Sequence, residues 1–309
     1  MVEFWLCQLV FNCLVATLDQ FANCYTISTM PTRRLITLTT DFGIADGYVG
    51  TMKGVMQRIA AGSPMIDISH LISPQNVREA TYVLYTVYPF FPVGTVHLVV
   101  VDPGVGSARR PIALQTSNAS FVGPDNGVFS YVMASETVET IVELADPRYR
   151  LPQVSHTFHG RDVFSPAAAH LAAGVPIEAL GPPVSDPVVF PPPLLEIRER
   201  SIVGEVLYAD HFGNAITSVG RLIWKAGQLA LQPGFGVQSD DTIEIEAAAV
   251  RVDVSGFELV GVHHTYAEVD TGEPLALVGS EGYLEIAVRE GHGARELGLA
   301  TGQRVTLHW

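Results

Sequence analysis

Three stretches of the 309-residue chain carry side chains able to act together on a small molecule. Asp41 closes the run LITLTTD, Asp102 closes VHLVVVD, and His159 lies in TFHGRD just before a helical pattern. In open α/β sheets, ligands bind in the crevice beyond the carboxyl ends of the strands. Two carboxylates placed there are worth more than two on helix surfaces, although each alone reads more readily as a helix cap or a turn residue. After Asp102 the chain continues PGVGSARR. Gly104 and Gly106 permit a tight turn and close backbone approach, and Arg109 is near enough to fold back on Asp102. Such a pair would keep the carboxylate ionised and leave guanidinium donors to hold a water. His159 alone of the three has an unperturbed pKa near neutrality.

A second constellation lies in YADHFGNAITS (208–218). Asp210 could meet an ammonium, Phe212 could stack on a purine, and Asn214 could read a base edge by paired hydrogen bonds. A plain hairpin turn with Gly213 at positive φ explains the same stretch equally well. GSEGYLEIAV (279–288) offers Ser280 and free backbone N–H groups to a carboxylate.

The elements that must carry these groups follow from periodicity. RLITLTT and TVHLVVVD are apolar, β-branched runs of buried-strand type, and MIDIS is a further strand. Val49, Met52, Val55, Met56 and Ile59 recur at helical spacing, with Gly62 and Pro64 as stops. Ser73-Pro74 is expected to cap and open a helix through REATYVLYTVY. PIALQT and FVGPDNG read as a hairpin-like strand and a turn, and 138–145 as a strand or short helix. Asp162–Ala173 reads as a helix closed by Gly174. The expected fold is an N-terminal, mostly parallel α/β sandwich over residues 30–180. A proline-rich linker (181–197) follows, then a smaller, all-β, barrel-like domain (198–309) built from short alternating runs about ten residues apart. No internal repeat is visible.

Composition narrows the function. The chain is 48% hydrophobic and 16% charged, enough for a sizeable core, and its formal charge is -14. That charge argues against nucleic acid as partner and suits a neutral or cationic small substrate. The three cysteines fall within residues 1–29, leaving the body without a disulfide framework or thiolate metal site. The extension 1–29 is apolar but broken by polar residues and lacks basic residues before its apolar run. It is neither a good membrane span nor a signal peptide. Translation is expected to begin at or near Met30, and the protein to be cytoplasmic.

Together, LITLTTDFGIADGYVGTMKGVM, DISHLISPQNVREA, VHLVVVDPGVGSARRPIAL, FVGPDNGVFS, TFHGRDVFSPAAAHLAAG, GEVLYADHFGNAITS and GSEGYLEIAV closely resemble the S-adenosyl-L-methionine hydroxide adenosyltransferases, relatives of the fluorinase and chlorinase. The matches run in order from residue 35 to about 290, leaving out the first 29 residues. The resemblance implies hydrolysis of S-adenosyl-L-methionine to adenosine and methionine without a metal or cofactor. It also implies a homotrimer whose sites lie between the N-terminal domain of one subunit and the C-terminal domain of the next. It assigns Asp41 to the ribose hydroxyls, Asp210 to the methionine ammonium, Ser280 to its carboxylate, and Phe212, Asn214 and Tyr266 to adenine. Asp102, Arg109 and His159 fall on the water-activating triad. Halogenating relatives have uncharged residues where Asp102 stands, and the fluorinase carries an insertion where only Ser117–Ser120 lie here. Gln75 stands where the fluorinase has tryptophan, and Glu281 where it has arginine.

In the implied reaction, the sulfonium departs as neutral methionine, so no general acid is required. Water has a pKa of about 15.7. Its full deprotonation would cost roughly 12 kcal/mol with a histidine base and roughly 16 kcal/mol with an aspartate, so His159 is expected to be the better base. Proton transfer is expected to accompany attack, with Asp102 and Arg109 orienting water and base. Three alternatives make distinct predictions. A metal-dependent hydrolase using Asp41, Asp46, Asp102, His159, Asp162, Asp210 or His211 would lose activity in chelator. A halogenase would form 5′-chloro-5′-deoxyadenosine from chloride. A non-catalytic S-adenosyl-L-methionine or adenosine sensor would bind without releasing methionine.

Overall fold

A computed structural model describes residues 33–235 and 243–309. The extension 1–29 and the expected start at Met30 lie outside the described residues. Residues 34–309 form one compact unit.

The first sheet contains β1 (Ile36–Thr40), β2 (Met65–Ser69), β3 (Thr95–Val100), β4 (Pro111–Thr116), β5 (Ala119–Pro124) and β6 (Val138–Glu143), in the order β2-β1-β3-β5-β4-β6. Only β4 runs against the rest, pairing antiparallel with both β5 and β6. Central β3 is buried along its whole length because it faces two cores. Val96, Leu98 and Val100 pack under the helices Tyr48–Ile59 and Ser165–Ala172. Val99, with Val101 just beyond the strand, faces the helices Val77–Val87 and Ser130–Ser135. An apolar run without alternation is what burial on both faces demands.

The helix Val77–Val87 starts later than its sequence suggests. Ser73-Pro74 does not cap it. Asn76 does, accepting from the Glu79 N–H at 3.1 Å, while the Ser73 N–H donates back to the Glu79 carboxylate. Gln75, at φ +67°, breaks the chain direction between them. Residues 138–143 are strand, and the helical pattern after His159 opens with a π-helical turn, Gly160–Phe164.

The second half holds β7 (Leu195–Arg198), β8 (Ser201–Ala209), β9 (Ala215–Gly220), β10 (Leu222–Lys225), β11 (Gln228–Leu231), β12 (Ile243–Glu246), β13 (Arg251–Val254), β14 (Phe257–Val260), β15 (Pro274–Val278), β16 (Tyr283–Val288) and β17 (Arg304–His308). Strands β14-β13-β17-β8-β9-β16-β15 form an antiparallel sheet, with β7 also on β8 and its two outer strands in contact, so the sheet curls almost into a barrel. β10, β11 and β12 make a smaller sheet. The two halves share a core: Tyr82 packs on Tyr208 and Tyr283 with ring centroids 5.2 and 5.8 Å apart. The proline-rich stretch is strapped to the first half, where Val184 N–H donates to the Ile141 carbonyl of β6 and Phe190 N–H to the hydroxyl of Ser130, the first residue of the helix Ser130–Ser135.

Candidate active site

Asp41, Asp102 and His159 converge on one cleft of about 260 Å³ at the carboxyl ends of β1 and β3, lined also by Phe42, Gln75, Val105 and Phe158. Each side chain is held by its own local device. Buried Thr40 ends β1, its hydroxyl 2.9 Å from His70 Nδ1 and accepting the Phe42 N–H, which sets where Asp41 leaves the strand. Asp41 Oδ2 accepts the Gln75 N–H at 2.8 Å. The loop after Asp102 folds tightly on itself. Gly106, at φ +75°, brings it so close to the 151–158 segment that a Cβ would lie 2.4 Å from the His156 carbonyl oxygen. That segment is pinned to the π-helical turn after it, where fully buried Asp162 accepts the Ser155 N–H at 2.8 Å and Arg161 Nε at 2.6 Å. His159 enters the cleft from the turn so fixed.

Arg109 folds back on Asp102. Nε donates to Oδ1 and Oδ2 at 2.9 and 3.0 Å, and Nη2 donates to Oδ2. Both side chains are more than nine-tenths buried. Nη2 also lies 2.8 Å from His159 Nδ1. Arginine only donates, so Nδ1 must accept, and the neutral imidazole then carries its proton on Nε2. Burial, followed by the Arg109 charge, holds the His159 pKa below its ordinary value against the opposing pull of Asp102. Arg109 Nη1 is buried without a protein acceptor, a donor that a ligand or water oxygen would satisfy.

The second constellation gathers in a separate cleft of about 730 Å³ lined by Asp210, Phe212, Asn214, Tyr266, Ser280 and Glu285, among others. It shares no lining residue with the first. The stretch 210–214 is indeed a hairpin turn with Gly213 at φ +89°. Asp210 organises it, accepting the Phe212 and Asn214 N–H groups at 3.0 and 2.8 Å. Asn214 Nδ2 donates to Asp210 Oδ2 at 3.0 Å and to the Tyr266 hydroxyl at 3.1 Å. Both amide hydrogens are therefore committed, and paired hydrogen bonds from Asn214 to a base edge, as read from sequence, are replaced by one free acceptor. Tyr266 donates onward to Glu285 Oε2 at 3.2 Å. Burial, then Glu285, pushes the Tyr266 phenol up to about 12, so it keeps its proton. Phe212 is 75% exposed. The Ser280 hydroxyl lies 3.3 Å from the Glu281 carboxylate and already donates to it.

Sequence reading missed Phe42, Phe158 and Glu285 as cleft residues. Phe42 and Phe158 adjoin Asp41 and His159, and adjacency was the available signal. In YLEIAV, Glu285 alternates with core residues Leu284 and Ile286, a pattern identical to that of a solvent-facing glutamate. Among the described residues, no group of three or more His, Cys, Asp or Glu side chains is placed to hold a metal. No helix among them is long and apolar enough to cross a membrane.

Fold and site together define a two-part protein: an α/β sheet presenting a carboxylate–guanidinium–imidazole line, joined to a β domain with an aromatic, acidic cleft. Residues 36–181 match the N-terminal domain, and residues 204–306 the C-terminal domain, of the SAM hydroxide adenosyltransferases. The chain belongs to that family. It is 39% identical to an (R)-S-adenosyl-L-methionine hydrolase of Thermus thermophilus, over 89% of this chain and 99% of that one. It is 27% identical to a fluorinase of Actinopolyspora mzabensis, over 89% and 97%. A crystal structure of a conserved protein from Thermotoga maritima superposes with a TM-score of 0.76 at 35% identity, over 89% of this chain and all of the other.

Proposed function

We propose that this protein hydrolyses S-adenosyl-L-methionine to adenosine and L-methionine by in-line attack of water at C5′. The observation that carries the reading is the buried Asp102–Arg109–His159 line at the strand ends, opening on the same cleft as Asp41. The water oxygen bonds to C5′ as the C5′–S bond breaks, and that bond's electron pair leaves on sulfur as the neutral thioether. The sequence favours His159 as base, but the structure supports a different division of labour. With Nδ1 accepting from Arg109, His159 offers Nε2–H as a donor that orients the water. Asp102 is the group able to accept. It is too weak a base to make hydroxide beforehand. It is ample for the oxonium that forms as attack proceeds, so the proton moves with or after carbon–oxygen bond formation. Positioning of this kind supplies roughly 7–11 kcal/mol.

Asp41 keeps Oδ1 for ribose hydroxyls while Oδ2 holds the Gln75 backbone. In the other cleft, Asp210, Phe212, Asn214, Tyr266 and Ser280 would hold the ammonium, adenine and carboxylate. Since the clefts share no residue, one ligand spanning both sets is best met by two chains, and a homotrimer with sites between subunits is the assembly we propose. The exposed Phe212 supports a covering partner. The relatives' names specify the R sulfonium epimer, and we extend that preference to this chain. No metal is required in this scheme.

The decisive assay is incubation with S-adenosyl-L-methionine in chelator and oxygen-18 water. Methionine release with label at the adenosine 5′ oxygen is expected. Label-free adenosine, or activity abolished by chelator, would reject the scheme. Following each sulfonium epimer separately tests the stereochemistry.

A further inference from the structure

The chain of hydrogen bonds through Asp210, Asn214, Tyr266 and Glu285 has a forced polarity. That polarity is set at Asp210, whose carboxylate only accepts; at the other end the Tyr266 phenol donates to Glu285, whose carboxyl pKa is raised by burial and then by the Asp210 charge. The Asn214 amide must therefore turn its nitrogen to Asp210, because the flipped amide would set oxygen against oxygen. The second Nδ2 hydrogen goes to the Tyr266 oxygen, and the phenolic hydrogen goes to Glu285. Among the described residues, Asn214 Oδ1 has no protein partner, and the residue lines the cleft. The Glu285 carboxylate packs directly against Gly279. It lies so close over the Gly279 α-carbon that a Cβ there would fall 1.7 Å from Oε1, so only glycine leaves the carboxylate where Tyr266 meets it.

We infer that Glu285 and Tyr266 are positioning residues that fix Asn214 as a pure acceptor, making this cleft select 6-aminopurines over 6-oxopurines. A 6-amino group donates an N–H to Asn214 Oδ1. A 6-oxo group presents a second acceptor to it and is repelled, with no amide hydrogen free to rescue the contact. This inference rests on the reading of the cleft as the adenine site and adds the device that sets its selectivity. Truncating Tyr266 to Phe keeps the ring and leaves one Asn214 N–H unpaired on the side the phenol vacates, where it can meet an oxo group while the other N–H stays on Asp210.

The test measures adenosine and inosine affinities of the full-length protein by calorimetry, without relying on turnover. Adenosine is expected to bind about 10- to 100-fold more tightly than inosine. Tyr266→Phe is expected to narrow that ratio to within about threefold, mainly by improving inosine binding, which a merely structural defect would not do. Glu285→Gln keeps an acceptor oxygen for the phenol and is expected to retain the ratio. Equal affinities in the parent protein, or an unchanged ratio in Tyr266→Phe, overturn the inference while leaving the adenine site intact. Failure of either nucleoside to bind overturns the adenine reading itself.

Discussion

Arg109 occupies the centre of the proposed catalytic line, and its planar fork lets one side chain pair the Asp102 carboxylate and reach His159 at once. Lysine has no second nitrogen in a fixed fork, so it cannot keep the two-nitrogen grip on the Asp102 carboxylate while also reaching His159. Arg109→Lys is therefore expected to lower kcat about 100-fold or more with a much smaller change in KM. Asp102→Asn removes the proposed proton acceptor and His159→Ala the proposed orienting donor, and each should lower kcat by about 10²–10⁴. Single-turnover assays with measured substrate affinity separate these effects from lost binding. Undiminished kcat in all three would remove the triad from the reaction. The pH profile follows from the depressed His159 pKa. The unfolded chain takes up this proton below about pH 6.5 while the folded protein resists it, so protonation costs stability as pH falls and costs none above. The acid limb of kcat/KM should consequently lie below the ordinary histidine range. An acid limb above pH 7 would contradict a neutral His159.

Two connecting segments decide whether these side chains meet. The 103–108 loop can lie against His156 only because Gly106 has no Cβ and tolerates φ +75°. Gly106→Ala is expected to destabilise by about 1–3 kcal/mol and to lower kcat, through displacement of the Asp102–Arg109 pair. The segment bearing His159 depends on Asp162. Burial opposes ionisation of that carboxyl, but hydrogen bonds from Arg161 and Ser155 outweigh it and hold its pKa below the usual carboxylate range. Its stabilisation is thus complete above about pH 3.9 and is lost as pH falls through the lowered folded value. Asp162→Ala should cost about 2–3 kcal/mol in denaturant unfolding at neutral pH. A loss within error would mean that Asp162 does not anchor the turn. The π-helical opening at Gly160–Phe164 fits the same picture, since such turns recur where a helix must aim a functional side chain.

Across the molecule, the two clefts sit on different halves of one compact chain, and the proposed trimer brings one of each together. Light scattering should report three subunits. A sharper check mixes Asp102→Asn and Asp210→Asn chains, each inactive alone, after dissociation and reassembly. Sites built between neighbours in a cyclic trimer restore about a quarter of the parental activity in an equal mixture. No recovery from a mixture shown to have exchanged subunits would place the whole site within one chain.

The local sequence already determined that Asp41 and Asp102 stand at strand ends, that β3 is buried on both faces, and that the second half is built of short antiparallel strands. Strand and helix periods are properties of neighbouring residues, and the side-chain types follow directly. Direction, partner and occupancy are not local. Asn76 rather than Ser73 caps its helix because Gln75, at φ +67°, holds the chain out of helical conformation until Val77. Arg109 meets His159 fifty positions away only after the 151–158 segment folds on Asp162. Glu285 looked like any outward residue of an alternating strand until Tyr266 and Gly279 closed over it. The roles proposed for His159 and Asp102 likewise depend on which imidazole nitrogen faces a guanidinium. Hydrogen-bond polarity is a property of the pair of groups in space, so residue type listed every donor and acceptor, while tertiary structure alone decided which were spent and which were left for a ligand.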